Sequence, residues 1–220
     1  MTSPVAKETV DPDFEALLKV AAEDVSSWDS SGTGDNVSIF KKMTDDSPIV
    51  LVKVYAIMEG ILPSTVFEVM TNQEIRRQWD KVLSNFEILE DNPAEGRSVL
   101  YYIVKTPIGT SNRDFLQQRK IKRDFPTQGT YTMHFKSVTH ERMPEKPKIV
   151  RADTLISGYI IEPSLDEKGR PSTKLTIISQ NDIKGIVPKA IVNIAASRAP
   201  RQWVNNLVKG CLDYQNNNFK

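Results

Sequence analysis

The first regular pattern of apolar positions lies near the start of the chain. From Asp13 onward the apolar side chains recur at helical spacing, which predicts an amphipathic helix with these residues on one face: Phe14, Leu17, Leu18, Ala21, Val25 and Trp28. Asp13 is a suitable N-cap because its carboxylate can accept hydrogen bonds from free backbone amides. The polar run SSGTGD at 30–35 should end the helix. We expect residues 1–12 to form a flexible tail.

Most of the remaining chain has the composition of β-strands. Short runs rich in β-branched and aromatic residues predict strands at VSIFKKM (37–43), IVLVKVYAIMEG (49–60), FEILEDN (86–92), RSVLYYIVK (97–105), RDFLQQRKIKRDF (113–125), GTYTMHFKSV (129–138), KIVRADTLISGYIIEP (148–163) and STKLTIISQND (172–182). Two short helices are predicted between the second and third of these, at PSTVFEVM and around IRRQWD. Since no long helix fits between the later strands, parallel crossovers are unfavourable and the sheet should be antiparallel.

The chain closes with a predicted long helix from Pro188 to about Asn216. Its apolar residues roughly follow helical spacing, and Pro200 should kink or interrupt it. No repeat or long linker divides the sequence, so we expect one domain over 13–220. The predicted fold class is α+β, with a curved antiparallel sheet and the long C-terminal helix lying across it.

Two of the predicted strands carry polar side chains on both faces. Along 113–125, Gln117 and Arg119 share one face, and the opposite face is also polar. Strand 150–161 likewise mixes apolar residues with Ser157. Either these are edge strands with both faces in water, or the sheet curls around an apolar cavity that contains a few fixed polar groups. A buried arginine in such a cavity would need a carboxylate or a ligand's anion beside it.

The formal net charge of +1 hides an uneven distribution. Residues 1–47 contain four Lys and Arg against ten Asp and Glu, a net charge of −6, whereas residues 184–220 contain six against one, a net charge of +5. The basic end is either a solvated helix face or a surface that attracts anionic lipid headgroups or a partner. The sequence has no membrane-spanning apolar run, no signal peptide and a single cysteine, Cys211. We therefore expect a cytoplasmic protein.

Sequence signatures of common enzyme and cofactor sites are missing. The chain contains no G-x-x-x-x-G-K-[ST], G-x-G-x-x-G, G-x-S-x-G or H-E-x-x-H motif. Its two histidines, His134 and His140, lie in a strand-and-turn region and form a poor metal pair. The basic run RKIKRD at 119–124 is short and is offset by 28 acidic residues, which is weak evidence for nucleic-acid binding. We expect no catalytic residues, no metal or other cofactor and no nucleic-acid partner.

The sequence IRRQWDK at 75–81 combines a tryptophan with opposite charges. In a helix, Arg76 and Asp80 share one face, and Ile75 and Trp79 share an adjoining one. The charged pair is either a surface salt bridge or a prearranged polar site inside an apolar cavity. Its order favours the cavity, because a helical pair at this spacing stabilises best with the acid first, and a surface pair contributes only ~0.3 kcal/mol.

Several segments, taken together and in order, resemble the START domain family of lipid-transfer proteins. They are RRQWD (76–80), VLYYIVKTPIGTSNRDF (99–115), the following Arg119, VRADTLISGYIIEP (150–163), NDIKGIVPKAIVN (181–193) and KGCLDY near the C-terminus. The resemblance extends from about residue 37 to the C-terminus and is strongest to the phosphatidylcholine-transfer branch of the family. It implies a helix-grip fold, in which a U-shaped antiparallel sheet surrounds a long C-terminal helix and encloses a tunnel for one lipid.

The resemblance also implies roles for particular side chains. Arg76 would bind the lipid phosphate, Asp80 would orient Arg76, and Arg119 would be a second polar contact for the headgroup. The positions of the family's aromatic choline cage are occupied by Met70, Tyr102, Phe115 and Leu155, so two of the four lack a ring. The residues expected to line the tunnel are Met70, Trp79, Tyr102, Phe115, Gln117, Leu155 and Ser157. A phospholipid is favoured, while choline is in doubt and a sterol or a fatty acid stays open.

The family's tunnel opens at a membrane, which implies a gate in this chain. The loop TPIGTSN at 106–112 would move together with the C-terminal helix, because glycine permits backbone bending. The residues expected at the gate and the membrane contact are Ile108, Gly109, Lys189, Arg198, Pro200, Arg201 and Trp203, with Lys184 and Lys209 adding positive charge.

The expected function is therefore a non-catalytic lipid carrier. We expect a monomer that holds one lipid and touches membrane surfaces transiently. Two alternatives from other classes stay open. The first is a lipid-sensing or scaffold module that controls a partner, and the second is an enzyme of helix-grip architecture that acts on apolar substrates.

Overall fold

The computed structural model describes residues 11–34, 36–45, 47–106, 110–185 and 198–217. Its helices are α1 (Pro12–Ala22), α2 (Pro63–Thr71), α3 (Gln73–Trp79) and α4 (Ala199–Gln215). Its strands are β1 (Asp29–Gly34), β2 (Val37–Thr44), β3 (Ser47–Glu59), β4 (Leu83–Asn92), β5 (Arg97–Val104), β6 (Asn112–Arg123), β7 (Tyr131–Ser137), β8 (Ile149–Arg151), β9 (Asp153–Leu165) and β10 (Pro171–Asp182). No helix within these ranges is both long and apolar enough to cross a membrane.

The strands of the described ranges form one sheet in the order β1-β2-β3-β10-β9-β7-β6-β5-β4. Every neighbouring pair in this order is antiparallel, as the sequence predicts. The short strand β8 stands off this path and pairs in parallel with β6. Because β6 lies between β5 and β7, and β9 between β7 and β10, the alternative that these are edge strands is wrong.

Helix α4 packs its apolar face against the curved sheet. Val204, Leu207 and Cys211 follow helical spacing, are buried, and belong to the main core together with side chains of α2, α3 and the central strands. The predicted helix-grip architecture is therefore confirmed. Pro200 lies in the first turn of α4 and not in its interior. In the first turn the missing amide proton of proline costs no helical hydrogen bond. The part of the predicted helix before Arg198 lies outside the described residues.

A glycine of α4, Gly210, lies against the Trp79 ring of α3. A Cβ atom added to Gly210 would lie 2.9 Å from Cγ of Trp79, so a larger residue there would force the two helices apart. Trp79 is fixed from its other end, because its indole N–H donates to the carbonyl of Val69 at 2.9 Å. This contact sets the position of α3 relative to α4.

Helix α1 covers the face of the sheet opposite α4. Leu17 is fully buried above Gly158, whose missing side chain leaves room for it. The N-cap is Asp11 and not Asp13, because the Asp11 side chain accepts the Asp13 amide at 3.0 Å and Pro12 occupies the first turn.

The C-terminal end of α1 comes earlier than the apolar spacing predicts. The helix ends at Ala22, and Trp28 packs in a separate cluster beyond it. A fully buried lysine, Lys53, donates to the carbonyls of Ala21 and Glu23 at 3.2 and 2.8 Å. These bonds satisfy carbonyl groups at the helix end, where a cation is also favoured by the helix dipole.

The run at 30–35, expected only to end the first helix, contributes most of β1. This strand pairs with β2 at the edge of the sheet, and its register shifts between Ser30 and Gly32. The strand is held by backbone hydrogen bonds to β2. Its sequence is polar throughout, so it has no alternation of apolar residues from which a strand could be predicted.

Candidate functional site

The sheet, α3 and the start of α4 enclose a cavity with a volume of about 140 Å³. Its walls are mostly apolar and aromatic, with a few polar groups, which is the usual composition of a ligand site. The lining residues are Met70, Arg76, Asp80, Val82, Leu83, Phe86, Leu100, Tyr102, Gln117, Arg119, Met133, Phe135, Tyr159 and Trp203. The charged members are Arg76, Asp80 and Arg119.

Helix α3 directs Arg76 toward this cavity. The side-chain oxygen of Asn72 caps the helix by accepting the amides of Glu74 and Ile75 at 3.1 and 3.3 Å. Ile75 and Trp79 share one face of α3 and are buried in the main core. Burial of this face fixes the rotation of the helix, and Arg76 on the adjoining face lines the cavity.

Arg76 and Asp80 form the charged end of the cavity, and Asp80 binds the residues around it. The Asp80 side chain is 2% exposed, and its Oδ2 atom accepts a hydrogen bond from Nε of Arg76 at 2.8 Å and forms an ion pair with Nη2 of Arg76, also at 2.8 Å. The same oxygen accepts from the indole N–H of Trp203 at 3.0 Å, which ties α4 to the end of α3. The Arg76 side chain is 13% exposed, so the pair is buried and the surface-bridge alternative is wrong.

Aromatic rings surround the guanidinium of Arg76. Its central carbon lies 4.9, 5.5 and 5.9 Å from the ring centroids of Trp79, Trp203 and Phe86. Its Nη1 atom also donates to the carbonyl of Met70 at 3.2 Å. Ring faces attract a cation electrostatically, so these contacts hold the guanidinium in one place beside the cavity.

A second polar chain crosses the cavity wall from β5 to β9. The hydroxyl of Tyr102 donates to Oε1 of Gln117 at 3.0 Å, and Nε2 of Gln117 donates to the hydroxyl of Thr154. Phe115 stacks on the Tyr102 ring with a centroid distance of 5.0 Å. Burial raises the pKa of Tyr102 and of Tyr159, so both phenols stay neutral and serve as hydrogen-bonding groups.

Arg119 has a different set of neighbours from Arg76. It is 5% exposed, and its Nη2 atom donates to the hydroxyl of Ser98 at 2.9 Å. That hydroxyl donates to Oδ1 of Asp91 at 2.8 Å. Within the described part of the chain, Nε of Arg119 makes no hydrogen bond. Burial lowers the pKa of Arg119 to about 10, so the guanidinium is protonated at neutral pH.

The structure brings most of the predicted tunnel and headgroup residues to this one cavity. Those that line it are Met70, Arg76, Asp80, Tyr102, Gln117 and Arg119. Trp203, which was predicted at the gate, also lines it. Trp79 and Phe115 lie one layer behind the wall, where Trp79 packs between Gly210 and Trp203 and Phe115 supports the Tyr102 ring.

Leu155 and Ser157, also expected in the tunnel, do not line this cavity. The pairing of β9 with β10 changes register beside Leu155, and the side chain is 39% exposed at a separate groove between the sheet and α1. Ser157 is buried, but its hydroxyl lies near the amide of Gln180 and the side chain of Asn181, at 3.4 and 3.5 Å. Strand alternation alone does not reveal such a bulge.

The predicted gate is described only in part. Ile108, Gly109 and Lys189 lie outside the described residues. Arg198 is exposed directly before α4, and Trp203 closes the charged end of the cavity through its bond to Asp80.

Arg201, predicted at the membrane contact, has hydrogen-bond partners within the protein. Its Nη2 atom donates to the carbonyl of Val37 at 3.0 Å, and Nη1 donates to the carbonyl of Gly34. These bonds fasten α4 to the β1–β2 hairpin, and contact of Arg201 with a membrane stays a prediction.

Several lining residues were not singled out from the sequence. Phe86, Leu100, Met133, Phe135 and Tyr159 all line the cavity. Met133 and Phe135 alternate along β7, and Tyr159 lies directly opposite Met133 on β9. The alternation was visible in the sequence, but the pairing register that brings these strands together was not.

A family model matches residues 13–215 of the chain, and it describes the START domain. The chain belongs to the START domain family. The resemblance noted from the sequence segments is therefore confirmed over nearly the whole chain, including the region before residue 37 that those segments did not cover.

The relatives of this START domain include proteins that are named for lipid transfer. It is 23% identical over 201 residues to phosphatidylcholine transfer protein from Bos taurus, in an alignment that covers 91% of each chain. It is 26% identical over 206 residues to START domain-containing protein 10 from Homo sapiens, covering 93% of this chain and 67% of that protein. Human StAR-related lipid transfer protein 5 has the same fold, with a TM-score of 0.81 at 23% identity, covering 93% of this chain and 95% of that one.

Proposed function

We propose that this START domain is a cytoplasmic lipid-transfer protein that carries one phospholipid between membranes. The observation that carries the proposal is the buried Arg76–Asp80 pair beside a cavity with apolar and aromatic walls. A guanidinium suits a phosphate because its planar N–H groups form paired, charge-assisted hydrogen bonds. The names of the relatives, phosphatidylcholine transfer protein among them, support a lipid as the ligand.

Asp80 leaves part of the Arg76 guanidinium available. Its Oδ2 atom binds Nε and Nη2, and the Met70 carbonyl binds Nη1. An arginine has five N–H groups. The Tyr159 side chain is also hydrogen-bonded to Arg76, and after these contacts one N–H group remains for a phosphate. A guanidinium held in this way would not have to reorganise when a phosphate arrives, which reduces the entropic cost of binding.

Burial of the acyl chains explains why a carrier is needed. A phospholipid with about 30 methylene groups would lose roughly 24 kcal/mol of burial on entering water, at ~0.8 kcal/mol for each group. Spontaneous exchange through water is therefore slow. A protein that keeps these carbons out of water lowers the barrier without any change to covalent bonds.

The cavity must widen to accept a whole lipid. Its volume of about 140 Å³ is below the range of roughly 300–1,000 Å³ of ordinary small-molecule sites. Trp203 closes the charged end, and its indole binds the same carboxylate oxygen as Arg76. We propose that displacement of the start of α4, which carries Trp203, opens this end at a membrane.

The groups that line the cavity favour transport of a lipid over catalysis of a reaction on it. Asp80 is the carboxylate among the described lining residues, and it is bound by Arg76 and Trp203. Burial raises the pKa of the two lining phenols, those of Tyr102 and Tyr159. A helix-grip enzyme would need a free acid and base at such a place. We therefore propose that the lipid leaves the protein chemically unchanged.

Lipid transfer between vesicles tests the proposal. Donor vesicles contain a fluorescent phospholipid, acceptor vesicles contain none, and the rate of transfer is measured with catalytic amounts of protein. The wild-type chain should accelerate transfer, and Arg76→Leu should lower the rate about tenfold, the loss expected for one charge-assisted contact. Because this change leaves Asp80 unpaired, the double variant Arg76→Leu/Asp80→Leu is measured beside it.

Arg170→Leu is the matched control for the loss of one guanidinium. Arg170 lies in the exposed turn between β9 and β10, away from the cavity, so its removal should leave the rate unchanged. Equal rates for the wild type and the two Arg76 variants would contradict the proposal. Tight lipid binding without transfer would instead favour a lipid sensor.

A further inference from the structure

The charges that line the cavity do not balance. Two guanidinium groups, those of Arg76 and Arg119, line it, whereas Asp80 is the single carboxylate among its described lining residues. Asp80 is already bonded to Arg76 through two nitrogen atoms. A buried cation is unfavourable unless an anion or several hydrogen bonds compensate it, so the second guanidinium calls for another partner.

Arg119 is that second guanidinium, and its compensation from the protein is incomplete. The carboxylate of Asp91 is linked to Arg119 only indirectly, through the hydroxyl of Ser98, which accepts from Arg119 and donates to Asp91. Its Nε atom is buried and has no hydrogen-bond acceptor among the described residues. Arg119 thus has a buried and unused N–H donor, and it is a lining residue of the same cavity. An anion inside the cavity would supply the missing acceptor.

The aromatic faces of the cavity do not favour a second cation. The rings of Trp79, Trp203 and Phe86 already surround the guanidinium of Arg76. Tyr102 and Phe115 stack nearly parallel, at 10°, with their faces against each other. A quaternary ammonium would have to share ring faces with a fixed positive charge, and like charges repel in a low-dielectric site.

We propose that the cavity selects phospholipids whose headgroup keeps a net negative charge, and that Arg119 is the residue that sets this preference. The inference rests on the proposed function and narrows its ligand. A phosphate held by Arg76 would extend its remaining negative charge toward Arg119. A zwitterionic lipid would bring an ammonium group into a site that already has an excess of positive charge.

Competition between two headgroups tests this proposal. Fluorescent phosphatidic acid and fluorescent phosphatidylcholine with identical acyl chains are each placed as a trace in vesicles of unlabelled phosphatidylcholine, so that the membrane surface is the same in both arms. The measured quantity is the ratio of the two transfer rates. The wild-type chain should favour phosphatidic acid about tenfold, as one additional charge-assisted hydrogen bond predicts.

Substitutions at Arg119 identify the source of the preference. Arg119→Gln should bring the ratio close to unity by slowing phosphatidic acid, with little change for phosphatidylcholine. Arg119→Lys keeps the charge and should keep most of the preference, which provides a second measurement if the glutamine variant does not fold. Lys122 belongs to the same strand but does not line the cavity, and its Nζ atom lies over the rings of Phe14 and Phe125. Lys122→Gln should therefore leave the ratio unchanged.

Three results would overturn the proposal. The first is a wild-type chain that transfers phosphatidylcholine as fast as phosphatidic acid. The second is an Arg119→Gln variant that slows both lipids equally, which would indicate a structural role. The third is transfer of neither lipid, which would contradict the proposed function itself; the first two results leave a lipid carrier in place.

Discussion

The buried ion pair between Arg76 and Asp80 allows a quantitative test of how the charged end of the cavity is built. Replacing Asp80 with leucine leaves the Arg76 guanidinium without its counter-charge and the Trp203 indole without its acceptor. Replacing Arg76 with leucine leaves the carboxylate with the indole as its remaining described partner. The double variant Arg76→Leu/Asp80→Leu removes both charges and fills the space with apolar groups.

The expected free-energy changes follow from burial of the pair. Loss of one partner of a buried pair lowers the free energy of unfolding by about 3–5 kcal/mol, and the unsatisfied Trp203 N–H adds about 1–3 kcal/mol for Asp80→Leu. Replacing both partners with apolar residues is often close to neutral. Each single variant should therefore be less stable than the double variant, and Asp80→Leu should lower Tm by on the order of 10 °C.

Urea unfolding, followed by tryptophan fluorescence, measures these free energies as a double-mutant cycle. Asp80→Asn is the control that keeps the side-chain volume and an acceptor for Trp203 while it removes the charge. The prediction is a strong coupling, so that the loss in the double variant is smaller than the sum of the two single losses by at least about 2 kcal/mol. Additive losses would show that the two charges do not stabilise each other, and the description of the site would be wrong.

Three further predictions concern pH, helix packing and membrane attraction. Burial lowers the pKa of His134, so as pH falls through about 6.5 this residue takes up a proton in the unfolded chain before it does so in the folded one, and the folded state loses stability. The His134→Gln variant should therefore lose less stability than the wild type between neutral and mildly acidic pH, as measured by urea unfolding. Gly210→Ala should lower Tm by about 2–4 °C in thermal unfolding, because a close contact of 2.9 Å with the Trp79 ring outweighs the helix propensity gained. Lys184, Arg198 and Lys209 are exposed. Neutralising them should slow transfer to anionic acceptor vesicles about fivefold for each of these charges that reaches the membrane surface, since one cation there contributes ~1 kcal/mol. The transfer rate should also depend less on salt concentration.

Each of these predictions has a result that would refute it. An unchanged acid sensitivity of the His134→Gln variant would assign the pH dependence to other groups. A higher Tm for Gly210→Ala would mean that the contact between α4 and the Trp79 ring of α3 tolerates a methyl group. Transfer rates that do not respond to the three charge changes, or to salt, would remove the basic end of the chain from the mechanism.

The elements of the fold were largely predictable because each is encoded locally. Runs rich in β-branched and aromatic residues identify strands such as β5 and β7, and helical spacing identifies α1. The failures occurred where two local signals compete or where regularity breaks. Asp11 and Asp13 can both cap a helix, and Pro12 decides between them by occupying the first turn. The register shift beside Leu155 interrupts the alternation that the prediction extended through it.

The candidate site was predictable to the extent that its parts are close in sequence. Arg76 and Asp80 are four residues apart, so their pairing follows from helical geometry. The bond between Trp203 and Asp80 joins residues 123 positions apart, and no local pattern indicates it. Likewise, the charge of Arg201 suggested a membrane contact, whereas its carbonyl partners lie on the distant hairpin of β1 and β2.

Native mass spectrometry of the purified chain, followed by extraction and identification of what it carries, tests the central claim most directly. The wild-type protein should carry one phospholipid per chain, released unchanged on unfolding. The double variant Arg76→Leu/Asp80→Leu should fold and carry markedly less. A wild-type mass equal to that of the polypeptide alone, or the same phospholipid load on the folded double variant, would contradict the account.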